Sequence, residues 1–161
     1  MTALPRVSPL PPTRVAVVDD DPVFLDLMRD VLTEEGYIPY LFAVGAPAYA
    51  RMRALAPDAL VLDVHAERPH PGWLLLDLCR QDPALCEMTI VICSEDEREA
   101  RARAAASPGA AVALRKPFEL GELLALLPPG GRPATRVGGR EPTARRRARL
   151  TDASLTVDRR S

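Results

Sequence analysis

The chain has 161 residues, of which 47% are hydrophobic and only 4% aromatic, a composition that suits one domain with an aliphatic core. Its three cysteines form no CxxC pair and it has only two histidines, which argues against a structural zinc site and against a disulfide framework. The net charge of −1 hides an asymmetry, since residues 1–127 carry 12 basic and 19 acidic side chains whereas residues 128–161 carry nine arginines and three acids.

Short apolar runs rich in β-branched residues alternate with segments of helical periodicity along the chain. The predicted strands are Arg14–Val18, Tyr37–Ala43, Ala59–Asp63, Thr89–Cys93 and Ala110–Leu114. The predicted helices are Pro22–Glu35, Pro47–Leu55, Trp73–Arg80, Glu95–Ala106 and Glu119–Leu127. Five consecutive β-α units predict an α/β domain with a doubly wound, five-stranded parallel sheet and helices on both faces.

Proline and glycine mark several boundaries of this domain. Gly36 is placed to end the first helix, and Pro39 assigns the second strand to an edge of the sheet. The proline-rich residues 1–13 are expected to form a disordered leader, and residues 128–161, rich in Pro, Gly and Arg, a disordered basic tail. The folded domain is therefore predicted over residues 14–127.

Polar side chains follow four of the five predicted strands. They are Asp19, Asp20, Asp63, Ser94 and Lys116. Right-handed crossovers bring the carboxyl ends of parallel strands to one edge of a sheet, so these side chains should converge there. Crowded carboxylates raise one another's pKa unless a cation offsets them, and Mg²⁺ prefers oxygen ligands, so a metal site is favoured over a simple helix cap.

Four motifs occur in order along the chain. They are Val17-Val18-Asp19-Asp20-Asp21-Pro22, Leu60-Val61-Leu62-Asp63, Ile90-Val91-Ile92-Cys93-Ser94 and Lys116-Pro117-Phe118. Each motif is weak alone, but together they resemble the response-regulator receiver domain of bacterial two-component signalling, in particular the single-domain regulators of chemotaxis. The resemblance covers about residues 14–127 and implies a flavodoxin-like sheet with strand order 2-1-3-4-5.

The resemblance also implies a metal site around a phosphoacceptor. Asp63 would be the carboxylate nucleophile that forms an acyl phosphate. Asp20, Asp63 and the backbone carbonyl of His65 would bind Mg²⁺, and Asp19 would assist through a water molecule. The metal would neutralise charge on the incoming phosphoryl group and align it for in-line attack.

Two further residues receive roles from the same resemblance. Lys116 would place a compact positive charge against the phosphoryl oxygens, although it could also be an ordinary surface lysine. The Ser94 hydroxyl would donate to the bound phosphoryl group and draw the following loop inward, or it could simply cap the helix that begins at Glu95. The Lys116-Pro117 step permits a cis peptide bond, a feature often found at this point in the family.

Several positions depart from the family pattern. Glu67 stands where a proline is expected after the acceptor, and Pro69 comes only later. Glu95 replaces a small residue beside Ser94, where its carboxylate could repel a phosphoryl group. Ala113 replaces the aromatic residue whose rotation often reports activation, so the fourth helix and fifth strand would signal by backbone movement or not at all.

These features predict a phosphorylation-dependent response regulator that takes its phosphoryl group from a sensor histidine kinase or a phosphotransfer protein. A 34-residue tail is too short for a typical winged-helix output domain, so the output is expected through contact with a downstream protein. The basic tail leaves nucleic acid open as a partner, but it is not the expected one. With neither a signal peptide pattern nor a membrane-spanning run, the cytoplasm is expected and a membrane partner is not.

Two alternatives differ in what the carboxylates do. A phosphorylation-independent pseudo-receiver would use the same fold as a scaffold. A Mg²⁺-dependent phosphohydrolase generally uses an Asp-x-Asp nucleophile pair, which Asp63-Val64-His65 does not supply. The expected chemistry is therefore limited to the protein's own phosphorylation and a slow autodephosphorylation, without enzyme activity on a separate substrate.

Overall fold

A computed structural model describes residues 11–65 and 70–130, within which five strands alternate with five helices. The strands are β1 Arg14–Val18, β2 Ile38–Phe42, β3 Ala59–Val64, β4 Thr89–Ser94 and β5 Ala111–Arg115. The helices are α1 Pro22–Glu34, α2 Ala46–Leu55, α3 Pro71–Gln81, α4 Glu97–Ala106 and α5 Leu120–Leu126. Most of the expected leader, most of the expected tail, and the departures at Glu67 and Pro69 lie outside the described residues.

The strands form one parallel sheet in the order β2-β1-β3-β4-β5, which confirms the predicted topology. Strand β2 lies at an edge, as Pro39 predicts, because proline has no N–H to offer a second neighbour. The chain reverses direction across the sheet between β1 and β3. In open α/β sheets, that switch point is where the carboxyl ends of the strands leave a crevice for a ligand.

Two apolar cores sandwich the sheet. Alternate residues of β3 point to opposite faces, so that Leu60 and Leu62 pack with the α2, α3 and α4 side while Ala59 and Val61 pack with the α1 and α5 side. All four are almost completely buried. Burial on both faces explains why these strands read as unbroken apolar runs rather than as alternating patterns.

Two helix boundaries have clear local causes. Helix α1 ends before Gly36, which takes φ +85° and so confirms the predicted stop. Helix α4 begins at Glu97 and not at Glu95, because the side chain of Asp96 accepts a hydrogen bond from Glu99 N at 3.0 Å and acts as the N-cap. The interpretation of Ser94 as the cap of that helix is therefore wrong.

The two ends of the described domain are tied together. Thr13 Oγ1 donates to the carbonyl of Pro129 at 2.6 Å, and Tyr37 Oη donates to the carbonyl of Pro128 at 3.0 Å. These contacts lie just outside the predicted limits of residues 14–127. No helix in the described part of the chain is long and apolar enough to cross a membrane.

Candidate functional site

Two carboxylates lie side by side at the carboxyl ends of the central strands. Strands β1 and β3 pair with Val18 opposite Leu62, so Asp19, just after β1, and Asp63, the penultimate residue of β3, come next to each other. Both are buried, with 6% and 3% of their surface exposed. Buried carboxylates this close disfavour each other's charge, and that arrangement calls for a cation.

Lys116 supplies one such cation. Its Nζ forms an ion pair with Oδ1 of Asp63, and apart from this ammonium Oδ1 has no hydrogen-bond partner among the described residues. Burial works against the ammonium charge, but the negative charges of Asp63 and Asp19 outweigh it and raise the pKa of Lys116. The Lys116-Pro117 peptide bond is cis, and Lys116 N donates to the carbonyl of Ser94 at 2.9 Å, which fixes the end of β5 against β4.

The surroundings of Asp19 disfavour its negative charge. Burial first, and the negative charge of Asp63 second, raise the pKa of Asp19 to about 6. The hydrogen bond that its Oδ1 accepts from Asp21 N, at 2.8 Å, and the positive charge of Lys116 act in the opposite direction without cancelling the shift. A nearby divalent cation would therefore favour the charged form of Asp19.

Asp20 lies apart from these two carboxylates. Its side chain is exposed, and its Oδ1 accepts a hydrogen bond from the backbone N–H of Val44 at 3.1 Å, in the loop between β2 and α2. Across residues 11–65 and 70–130, no three side chains of metal-ligating type are grouped closely enough to hold an ion. The structure therefore brings Asp19 and Asp63 together and leaves Asp20 bonded elsewhere.

Ser94 ends β4 and is completely buried. Its Oγ accepts a hydrogen bond from the backbone N–H of Asp96 at 3.1 Å, which shapes the turn into α4. The hydroxyl hydrogen remains available to a separate acceptor. Glu95, in the same turn, is exposed, and Ala113 of β5 is half-buried against the apolar core.

His65 contributes more than its backbone. Nε2 of His65 lies 3.1 Å from Oδ2 of Asp63, and its ring stands edge-on to that of His70, with 5.2 Å between the centroids. Sequence reasoning missed this contact and attached no role to His70. The available signal was that the only two histidines of the chain both follow the proposed acceptor within seven residues.

The donor set suits Mg²⁺ by its chemistry, since it consists of carboxylate oxygens with one member whose charge is disfavoured. Asp19 and Asp63 are already adjacent, because the register of β1 and β3 brings them side by side. Asp20 would have to exchange its bond with Val44 N for the metal. The residues present therefore fit a divalent cation, with a side-chain movement of Asp20 as the condition.

Comparison with known proteins places this geometry in a family. Residues 15–128 match the family model described as response regulator receiver domain. The chain is 31% identical over 112 residues to the DNA-binding response regulator MtrA of Mycolicibacterium smegmatis, covering 70% of this chain and 47% of that one. It is 33% identical over 144 residues to protein-glutamate methylesterase/protein-glutamine glutaminase 5 of Anaeromyxobacter dehalogenans, covering 88% of this chain and 34% of that one.

A solved structure shares the fold. The Vibrio cholerae chemotaxis protein CheY4 superposes with a TM-score of 0.61 at 21% identity, covering 73% of this chain and all of that one. At this identity the likeness concerns the fold alone. The chain spans about half the length of MtrA and about a third of the length of the methylesterase, both of which are larger proteins.

Proposed function

The chain belongs to the response regulator receiver family of two-component signalling, and we propose that it is a phosphorylation-dependent switch with Asp63 as the phosphoacceptor. One observation carries this proposal. The buried Asp63 carboxylate, which leaves the central strand of the sheet, contacts the Lys116 ammonium and lies beside Asp19. Among the described carboxylates, Asp63 alone combines a strand end, burial and a cationic partner of this kind.

The proposed reaction is a phosphoryl transfer. A carboxylate oxygen of Asp63 attacks phosphorus in line with the leaving group of a phosphohistidine or a small phosphodonor. A P–O bond to the carboxylate forms while the bond from phosphorus to the leaving nitrogen or oxygen breaks. The leaving group keeps the electron pair of that bond and takes a proton from water. Lys116 then moves its charge from the carboxylate to the phosphoryl oxygens.

Asp19, Asp20, Asp63 and the backbone carbonyl of His65 would hold Mg²⁺ in this account. When bound, the metal supplies positive charge that offsets the approach of an anionic phosphoryl group to an acidic site. The protein's own share is to keep water scarce around Asp63 and to hold the acceptor in place. Burial of Asp63 and its contact with Lys116 support both tasks.

Ser94 is the proposed link from the phosphoryl group to the rest of the domain. Its hydroxyl hydrogen can donate to a phosphoryl oxygen while its Oγ still accepts from Asp96 N, the N-cap residue of α4. A pull on Ser94 is therefore transmitted to the start of α4. Because Ala113 offers no aromatic ring to rotate, this backbone route is the proposed signal.

The proposed donors are a sensor histidine kinase or a phosphotransfer protein, and the proposed receiver of the signal is a downstream protein in the cytoplasm. No activity on a separate substrate is proposed beyond the chain's own phosphorylation and slow autodephosphorylation. MtrA is named as DNA-binding, and the family therefore also couples receivers to nucleic-acid outputs. For this chain, the proposed output is contact between the described domain and a downstream protein.

The test is intact mass after incubation with a small phosphodonor, with and without Mg²⁺. A gain of one phosphoryl group that requires Mg²⁺ and is absent in Asp63→Asn supports the switch. No gain with the small donor or with candidate kinases, in protein that remains folded, would favour the pseudo-receiver scaffold. The bond between Asp20 and Val44 N is the observation that keeps the scaffold as the second candidate.

A further inference from the structure

Both oxygens of the proposed acceptor are engaged by cationic or proton-donating side chains. Lys116 Nζ contacts Oδ1 of Asp63, and His65 Nε2 lies 3.1 Å from Oδ2. That distance suits a hydrogen bond whether the imidazole is neutral or protonated. Because the ammonium occupies the Oδ1 side, Oδ2 is the oxygen at which a second cation meets less repulsion.

The His65 ring rests against a fixed neighbour. The rings of His65 and His70 meet edge-on at 75°, and Nδ1 of His70 accepts a hydrogen bond from Gly72 N at 3.1 Å as the N-cap of α3. This bond leaves the proton of a neutral His70 on Nε2, so His70 is a support rather than a metal ligand in this arrangement.

The start of α3 is itself pressed against the acceptor strand. A Cβ at Gly72 would come within 2.7 Å of Val64 Cγ1 and 3.0 Å of the Asp63 carbonyl, so only glycine allows this approach. The position of His70 beside the His65 ring is therefore fixed relative to Asp63, whereas His65 is held to the acceptor by its own contact with Oδ2. The free side of His65 faces solvent, since 48% of its side-chain surface is exposed.

We propose that the His65 side chain is a latch on the acceptor, which competes with the divalent cation for Oδ2 of Asp63. This inference rests on the proposed function and adds a side chain that regulates metal binding at the proposed site. A metal ion about 2.1 Å from a carboxylate oxygen cannot use the lone pair that a ring N–H already takes at hydrogen-bonding distance. Loading of the metal then requires the imidazole to swing out towards solvent.

The consequence is a raised threshold for metal binding. Each metal ion that binds must displace one contact between His65 and Asp63, which weakens its apparent affinity. Removal of the imidazole abolishes this competition but keeps the backbone carbonyl of residue 65, the other group proposed to bind the metal there. Removal of the side chain should therefore strengthen metal binding, which is the opposite of what loss of a ligand would do.

The experiment is calorimetric titration of the 161-residue chain with MgCl₂. The variant His65→Ala should bind Mg²⁺ roughly three- to tenfold more tightly than wild type, the range set by one lost hydrogen bond. His70→Asn is the matched control, because asparagine can still cap α3 while an imidazole is removed from the same edge without loss of the contact to Oδ2. It should change the affinity less than His65→Ala does. Asp63→Asn should lose most of the binding.

The outcomes separate this inference from the proposed function. Tight Mg²⁺ binding by wild type with an equal or weaker affinity in His65→Ala overturns the latch and leaves the phosphoacceptor proposal intact. An equal gain in His70→Asn also overturns it, because general loss of an imidazole would then explain the effect. Absence of Mg²⁺ binding in both wild type and His65→Ala overturns both proposals. Circular dichroism and metal-free thermal unfolding check that each variant is folded.

Discussion

The carboxylate of Asp20 accepts a hydrogen bond from the backbone N–H of Val44, with 3.1 Å between Oδ1 and the nitrogen. The bond joins the turn after β1 to the loop between β2 and α2. The bond holds the Asp20 carboxylate away from Asp63, although the family resemblance assigns Asp20 to the metal site. A divalent cation that recruits Asp20 must therefore release Val44.

Titration with Mg²⁺ should shift the amide resonance of Val44 in step with metal binding. The bond to Asp20 breaks, so the amide proton is expected to move and to exchange faster with solvent. Two-dimensional NMR of labelled protein measures both. In Asp20→Asn the Val44 resonance should no longer follow the metal, and a Val44 resonance that stays fixed in saturated wild type would exclude this movement.

Substitution of Lys116 should destabilise the metal-free protein. Lys116→Ala leaves the buried Asp63 carboxylate without its cation, and the expected loss in the free energy of unfolding is about 3 kcal/mol at neutral pH. Urea unfolding followed by circular dichroism measures the loss. Lys116→Arg keeps the positive charge and serves as the control; equal stability of the alanine variant and wild type would show that the ion pair contributes little.

Asp19 should make the stability of the metal-free protein fall as the pH rises. Its pKa of about 6 in the folded state exceeds the ordinary value of 3.8, so the folded state binds the proton more tightly than the unfolded state does. This contribution is complete below about pH 4 and is lost as the pH rises through 6. Asp19→Asn should therefore stabilise the protein by about 1–3 kcal/mol at a pH near 7.5 and by much less at a pH near 4.5.

Urea unfolding at the two pH values checks the sign of the Asp19 effect. Saturating Mg²⁺ supplies the control, because the cation should stabilise wild type and reduce the advantage of Asp19→Asn at the higher pH. If the gain in stability of Asp19→Asn over wild type were larger at the lower pH, the Asp19 carboxylate would have to be favourably paired in the folded state.

Ser94 should affect the response to phosphorylation more than phosphorylation itself. Ser94→Ala removes the hydroxyl that joins the proposed phosphoryl group to the turn before α4. Hydrogen exchange of residues 94–106, measured with and without a phosphodonor, should change in wild type and change much less in the variant. Ser94→Thr retains a hydroxyl and should respond like wild type; a full response in Ser94→Ala would remove the serine from the signal route.

Sequence patterns were sufficient for the parallel sheet, and the family resemblance supplied its strand order. Buried strands such as Ala59–Val64 appear as unbroken apolar runs, and their alternation with helices leaves few topologies for a parallel sheet. The stop at Gly36 and the edge position of Pro39 follow from backbone chemistry that any fold must obey. The start of α4 was misplaced because Ser94 and Asp96 are both good cap residues, and only the local geometry selects Asp96.

The sequence predicts which residues form the site better than it predicts the contacts between their side chains. Strand-end positions indicate that Asp19 and Asp63 should meet, because register alone brings them together. The partners of Asp20 and His65 depend on side-chain rotation in loops, and no periodicity specifies it. The role of Lys116 follows from a motif, but the strength of its contact with Asp63 depends on burial that arises only in the folded chain.

The most direct measurement is the location of the phosphoryl group on the chain. Wild-type protein is incubated with a phosphodonor and Mg²⁺, reduced with borohydride to convert any acyl phosphate into the corresponding alcohol, and digested for peptide mass spectrometry. We expect the conversion at Asp63 and at no other carboxylate. Conversion at Asp19 or Asp20 with Asp63 unmodified, or no conversion in folded protein that has been offered both a small donor and a kinase, would contradict the assignment of Asp63 as the phosphoacceptor.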